Sequence, residues 1–176
     1  MVLKVFDDFP AVLHIELGAG CGNFGLVYFP DCFLSDAESN NFLRSVCPSP
    51  TTFIDKLQCS AHEIPCQESR FEKVVMANPF NYGFFNSTQS EILFYELFRV
   101  LKPGGEAIVI ANKSNPWGAY GSIADQLVRC TNGNELFSIQ YTTIDQDIDF
   151  PGYLFLNSNR ISKVRPNQKT VLTCLK

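Results

Sequence analysis

Short apolar runs alternate with helix-period segments along most of this chain, the pattern of a parallel sheet covered on both faces. Val12-Leu13-His14-Ile15 opens a strand expected over residues 12 to 17, and a short helix over 23 to 29 stops at Pro30. Cys32-Phe33-Leu34-Ser35 predicts a second strand that ends at Asp36, and Ile54 to Cys59 predicts a third. Phe71-Glu72-Lys73-Val74-Val75-Met76-Ala77 runs as a further strand into a turn at Asn78. Ser87-Thr88-Gln89-Ser90 offers an N-cap to a helix whose aliphatic residues recur at helical spacing as far as Leu101. Lys102-Pro103-Gly104-Gly105 stops that helix, and Glu106 to Ala111 reads as a fifth strand. A helix over 120 to 130 and strands over Leu136 to Thr142 and Thr170 to Leu175 complete the pattern. The long connection before the last strand, containing Pro151-Gly152-Tyr153-Leu154-Phe155, reads as a lid or as an ordinary hairpin loop.

Between the first strand and first helix stands Glu16-Leu17-Gly18-Ala19-Gly20-Cys21-Gly22. Glycines there allow a tight bend that brings main-chain N–H groups close to a nucleotide-like ligand at the helix N-terminus. The carboxylate of Glu16 narrows the choice. It would repel a pyrophosphate and favour a ligand carrying an amine or sulfonium cation. Glycine-rich turns also serve dinucleotide-binding folds, so the spacing alone leaves both ligand classes open.

Composition then bounds the function. With 176 residues, 45% of them apolar and 18% charged, the chain is long enough for one well-buried core and short for two domains. One domain over residues 1–176 is expected. A net charge of -4 argues against nucleic acid as a partner, because such binding depends on Lys and Arg neutralising phosphates. Seven cysteines, an odd number without a Cys-x-x-Cys pair, fit reduced thiols in a cytoplasmic protein better than disulfides, and no metal site is expected. The absence of a membrane-length apolar run and of a leader pattern at the N-terminus adds the expectation of a soluble chain with no membrane partner.

Four segments in order resemble the class I S-adenosylmethionine-dependent methyltransferases: the acidic glycine motif, Asp36, the Phe71 strand, and Arg99-Val100-Leu101-Lys102-Pro103-Gly104-Gly105. The resemblance spans residues 12 to 112. It implies a Rossmann-like α/β fold with a seven-stranded, mostly parallel sheet in the order 3-2-1-4-5-7-6, with S-adenosyl-L-methionine as cofactor. Glu16, Gly18, Ala19, Gly20 and Gly22 would then form the cradle, and Asp36 would accept the ribose hydroxyls, with Glu38 as the alternative acceptor. Asp36 as a plain cap for a helix beginning near Ser39 is the competing reading. Ser60-Ala61-His62-Glu63-Ile64-Pro65 occupies the place of the family's Asp-Ala-x-x-Leu-Pro adenine turn, with serine where the acid stands. Serine is a weaker partner for an exocyclic amine, so the main chain of Ala61, with His62 beside it, is the expected adenine contact.

Asn78-Pro79-Phe80 resembles the Asn-Pro-Pro-Tyr turn of amino-group methyltransferases, in which the asparagine and a prolyl carbonyl orient the target nitrogen. Asn78 and Pro79 are therefore the expected catalytic residues, with Asn78 also bordering the cofactor. Phe80, Tyr82, Asn115 and Trp117 flank the expected acceptor, which is read as a small molecule or peptide; core packing is the alternative for each. Only about ten residues precede the first strand, so no extensive N-terminal cap is expected over the pocket. The sixteen phenylalanines make a homo-oligomer that covers the open pocket a reasonable arrangement. A methyltransferase-fold subunit that binds without catalysis is the competing functional reading.

Overall fold

The computed structural model describes residues 12–19, 24–29, 31–37, 56–79, 87–112, 122–132, 134–145, 149, 155–156 and 163–176. β1 (His14–Leu17) leads to α1 (Phe24–Tyr28), then to β2 (Cys32–Asp36) and β3 (Lys56–Gln58). β4 (Phe71–Ala77), α2 (Ser87–Val100), β5 (Leu101–Ala111) and α3 (Ser122–Cys130) follow, and then β6 (Phe137–Thr143). The chain closes with β7 (Phe155–Leu156), β8 (Lys163–Val164) and β9 (Gln168–Cys174).

Seven strands form one sheet in the order β3-β2-β1-β4-β5-β9-β6. β1 to β5 run parallel, while β9 lies antiparallel to both β5 and β6. Because β7 and β8 pair only with each other, β9 is the seventh strand of the main sheet, and the expected order 3-2-1-4-5-7-6 holds. The connection before the last strand is thus more than a bare loop. Its described part is a small antiparallel ribbon.

Alternation along the strands divides the core in two, since successive side chains leave a strand on opposite faces. Val74 and Met76 of β4, with Ala107 and Val109 of β5, join Leu93, Phe94 and Leu97 of α2 and Ile123 and Leu127 of α3. Val75, Ile108 and Ile110 point the other way and pack with Phe24 of α1 and Ile144. Helices therefore cover both faces.

Most boundaries shift by a residue or two from the sequence expectation, and one differs more. Leu101, expected to end the helix, and residues 102 to 105, expected as a turn, belong to β5, which pairs Leu101 with Phe71 before a register shift brings Lys73 opposite Glu106. The helix ends at Val100 and the strand starts at the next residue. Pro103 and Gly104 are accommodated in this irregular stretch, where Gly104 takes a φ of 72°. Among the described residues, no helix is long and apolar enough to cross a membrane.

Candidate functional site

The parallel registers align the strand ends. Leu17 lies beside Ser35, Asp36 beside Gln58, and Ala77 beside Ile110, so the residues that follow these strands share one edge of the sheet. Strand order reverses between β1 and β4, the position at which open α/β sheets present a crevice to ligands. Gly18 and Ala19 emerge there, between Asp36 on one side and Asn78 on the other.

Gly18 takes a φ of 68°, a left-handed conformation that glycine adopts without Cβ strain. The amide of Ala19 donates to the Ser35 carbonyl at 2.9 Å, and Ser35 Oγ donates to the Glu16 carbonyl at 2.8 Å. These two bonds tie the turn to the end of β2. Glu16 is 2% exposed, and its Oε2 accepts the Gly25 amide at 2.7 Å. The carboxylate that the sequence placed toward a cationic ligand thus anchors the first turn of α1 from beneath. Tight packing accompanies the bond: a Cβ on Gly25 would lie 2.7 Å from Cys32 Sγ and 3.0 Å from Glu16 Oε2. Burial, reinforced by the Glu16 charge, pushes the Cys32 thiol well above its ordinary pKa.

Asp36 ends β2 and is buried, while its carbonyl accepts the Cys59 amide at 3.1 Å. Burial likewise raises the Cys59 thiol, with the Asp36 carboxylate adding to the rise. The adjoining turn folds on itself. Ser60 Oγ accepts the His62 amide at 3.1 Å and lies 3.5 Å from His62 Nδ1, and the Ser60 carbonyl accepts the Glu63 amide at 3.2 Å. Ala61 is buried within this turn. His62 Nε2 is also buried, and it has no hydrogen-bond partner among the described residues. An orphaned buried polar atom of this kind costs about 1–3 kcal/mol unless a ligand or water supplies a partner.

Across the crevice, Asn78 takes a φ of 51° and its amide donates to the Ile110 carbonyl at 2.6 Å. Asn78 is 7% exposed, and Pro79 beside it is buried. Asn112 Nδ2, just past β5, donates to the Arg165 carbonyl at 2.7 Å, which holds the exit of the late ribbon against the same edge. Gly18, Ala19, Asp36, Ala61, His62, Asn78 and Pro79 are thus placed at the carboxyl ends of β1 to β4. Gly20, Gly22, Glu38, Phe80, Tyr82, Asn115 and Trp117 lie outside the described residues.

This fold recurs in known structures. A 16S rRNA (adenine(1408)-N(1))-methyltransferase from Catenulisporales acidiphilia, described with cosubstrate SAM, matches with a TM-score of 0.62 at 10% identity, covering 97% of this chain and 90% of that one. The N-methyltransferase NodS from Bradyrhizobium japonicum WM9 matches with a TM-score of 0.58 at 14% identity, over 93% of this chain and 85% of that one. The chain has the fold of the class I S-adenosylmethionine-dependent methyltransferases. No family model matches the methyltransferase-fold chain. A segment of 57 residues is 39% identical to the ubiquinone/menaquinone biosynthesis C-methyltransferase UbiE of Xylella fastidiosa strain M23; the match spans 32% of this chain and 21% of that protein.

One pair of side chains behind the Ser60 turn lay outside the sequence expectations. Glu96 and Arg99 of α2 reach across to the segment that follows Ala61 and His62, bonding Ile64 and Cys66. Their spacing of three on a helix signals only a local ion pair. The partners, more than thirty positions earlier in the chain, carry no local sign in the sequence.

Proposed function

We propose that this protein is an S-adenosylmethionine-dependent methyltransferase that moves a methyl group by direct displacement to a small-molecule or peptide acceptor, with nitrogen as the receiving atom. The observation that carries the reading is the placement of the Gly18 turn between two buried polar residues, Asp36 and Asn78, where the strand order reverses. The residues present fit the cofactor: a left-handed glycine at the turn, a buried carboxylate at the end of β2, and the orphaned Nε2 of His62.

S-adenosylmethionine supplies an activated methyl on a sulfonium, so no nucleophilic side chain is needed. In this reading Asp36 accepts the ribose hydroxyls, and Ala61 and His62 border the base. Asn78 and the Pro79 carbonyl accept hydrogens from the target nitrogen, which aligns its lone pair. The proton released afterwards passes to solvent or a neighbouring group. Nitrogen is favoured by the Asn78-Pro79 turn, since the compared proteins are named for carbon, nitrogen and rRNA adenine acceptors alike. A small molecule or peptide is favoured over nucleic acid by the net charge of -4.

Incubation with methyl-labelled S-adenosylmethionine and fractionated cell extract tests the proposal. Label should appear in a small molecule or peptide, and it should be lost when Asn78 is replaced. A second reading, a binding subunit without catalysis, draws on Ser60, whose Oγ is engaged by its own turn where the family carries a free acid. Cofactor binding with no labelled product from any fraction would favour that reading instead.

A further inference from the structure

Glu96 and Arg99 pair with each other and direct further hydrogen bonds away from their own helix. Arg99 donates twice to Glu96, Nε to Oε2 and Nη2 to Oε1, each at 2.7 Å. The same guanidinium donates to the Cys66 carbonyl at 2.8 Å and to the Ile64 carbonyl at 2.7 Å. Glu96 Oε1 in turn accepts the Ile64 amide at 2.5 Å. Both main-chain groups of Ile64 are thereby held by one ion pair, two residues after His62. A solvated helix pair would add little and would leave the loop free to shift. Here the planar fork fixes a loop, and the hydrogen bonds that Arg99 donates to Glu96 raise its pKa further, so its charge is permanent.

The turn that this pair holds also bears His62, whose Nε2 lacks a partner among the described residues. A histidine nitrogen selects a ligand group only when its place is fixed to within a fraction of an ångström. We propose that Glu96 and Arg99 are positioning residues for nucleobase selection: by locking the main chain at Ile64 and Cys66, they hold Ala61 and His62 where the base is read. This rests on the nucleoside site proposed above. Neither side chain needs to touch the ligand.

The test compares the full chain with Arg99→Met, Glu96→Ala and Glu96→Gln, titrating each with S-adenosylhomocysteine and with its inosine counterpart, whose base carries a carbonyl in place of the amine. Thermal melting is recorded in parallel. The unaltered chain should prefer the adenine compound. Arg99→Met and Glu96→Ala should reduce that preference roughly tenfold, the scale of one well-made hydrogen bond, with the inosine compound changing far less. Glu96→Gln keeps an acceptor for the Ile64 amide and should fall between; it carries the decision if the other two are too unstable to titrate. An unchanged ratio of the two affinities, even with a lowered melting temperature, would overturn the positioning role and leave the nucleoside site standing. Failure of the unaltered chain to bind either compound would overturn the nucleoside site itself, and this inference with it.

Discussion

Asn78 combines burial with a φ of 51°, a conformation that asparagine tolerates better than other residues with a Cβ. Replacement by alanine therefore acts twice, removing the amide and straining the backbone by about 1–3 kcal/mol. Asn78→Gly separates the two effects. Both variants should lose turnover on the order of 10²-fold, while Asn78→Gly keeps its melting temperature and its affinity for S-adenosylhomocysteine. Equal losses of turnover and affinity in Asn78→Gly would make the residue a cofactor contact. His62 gives the complementary case, because its orphaned Nε2 is a liability in the free protein. His62→Phe should hold or raise the melting temperature while weakening S-adenosylhomocysteine roughly tenfold; unchanged affinity would show that Nε2 is not a ligand contact. The positions of Asp36 and Asn78 at strand ends were legible in the sequence because each closes an apolar run. The burial of Glu16 was not, since a carboxylate beside glycines reads the same whether it faces a ligand or a helix amide.

At the scale of elements, α1 depends on close contact with β1 and β2. Gly25→Ala would press its new methyl against Cys32 Sγ and Glu16, and should destabilise the fold by about 1–3 kcal/mol in urea titration. Cys32→Ala in the same chain should recover part of that loss, because the nearest clash goes and the two Glu16 contacts at 3.0 Å remain. Strict additivity would show that α1 shifts bodily instead. The order of strands and helices was readable from periodicity, including the buried Leu93, Leu97 and Val100 of α2. The extension of β5 back to Leu101 was not. Proline and paired glycines announce a break in regular structure, but whether a strand absorbs that break depends on Phe71 pairing with Leu101 from outside the segment. The β7 and β8 ribbon escaped for a similar reason, each strand being only two residues long.

For the whole molecule, several buried groups tie stability to pH. Burial raises the thiols of Cys32, Cys59 and Cys130 and the phenols of Tyr28 and Tyr141. A raised group holds its proton more tightly when folded, so its stabilising share is complete below the unfolded pKa and fades as pH climbs toward the folded one. The melting temperature should therefore fall above about pH 8.5, where unfolded thiols begin to ionise, and Cys32→Ala should flatten that decline. A flat profile to pH 10 would contradict the burial of these groups. Above all, the proposed function requires the strand-end crevice to hold the nucleoside that S-adenosylmethionine and S-adenosylhomocysteine share. Isothermal titration of S-adenosylhomocysteine, with NAD as the control and Asp36→Ala beside the unaltered chain, tests this most directly. Saturable binding of S-adenosylhomocysteine is expected, with no heat from NAD and a roughly 10- to 100-fold loss in Asp36→Ala, the scale of a charge-assisted hydrogen bond. Binding of NAD in its place, or no binding of either compound, would contradict the proposed function.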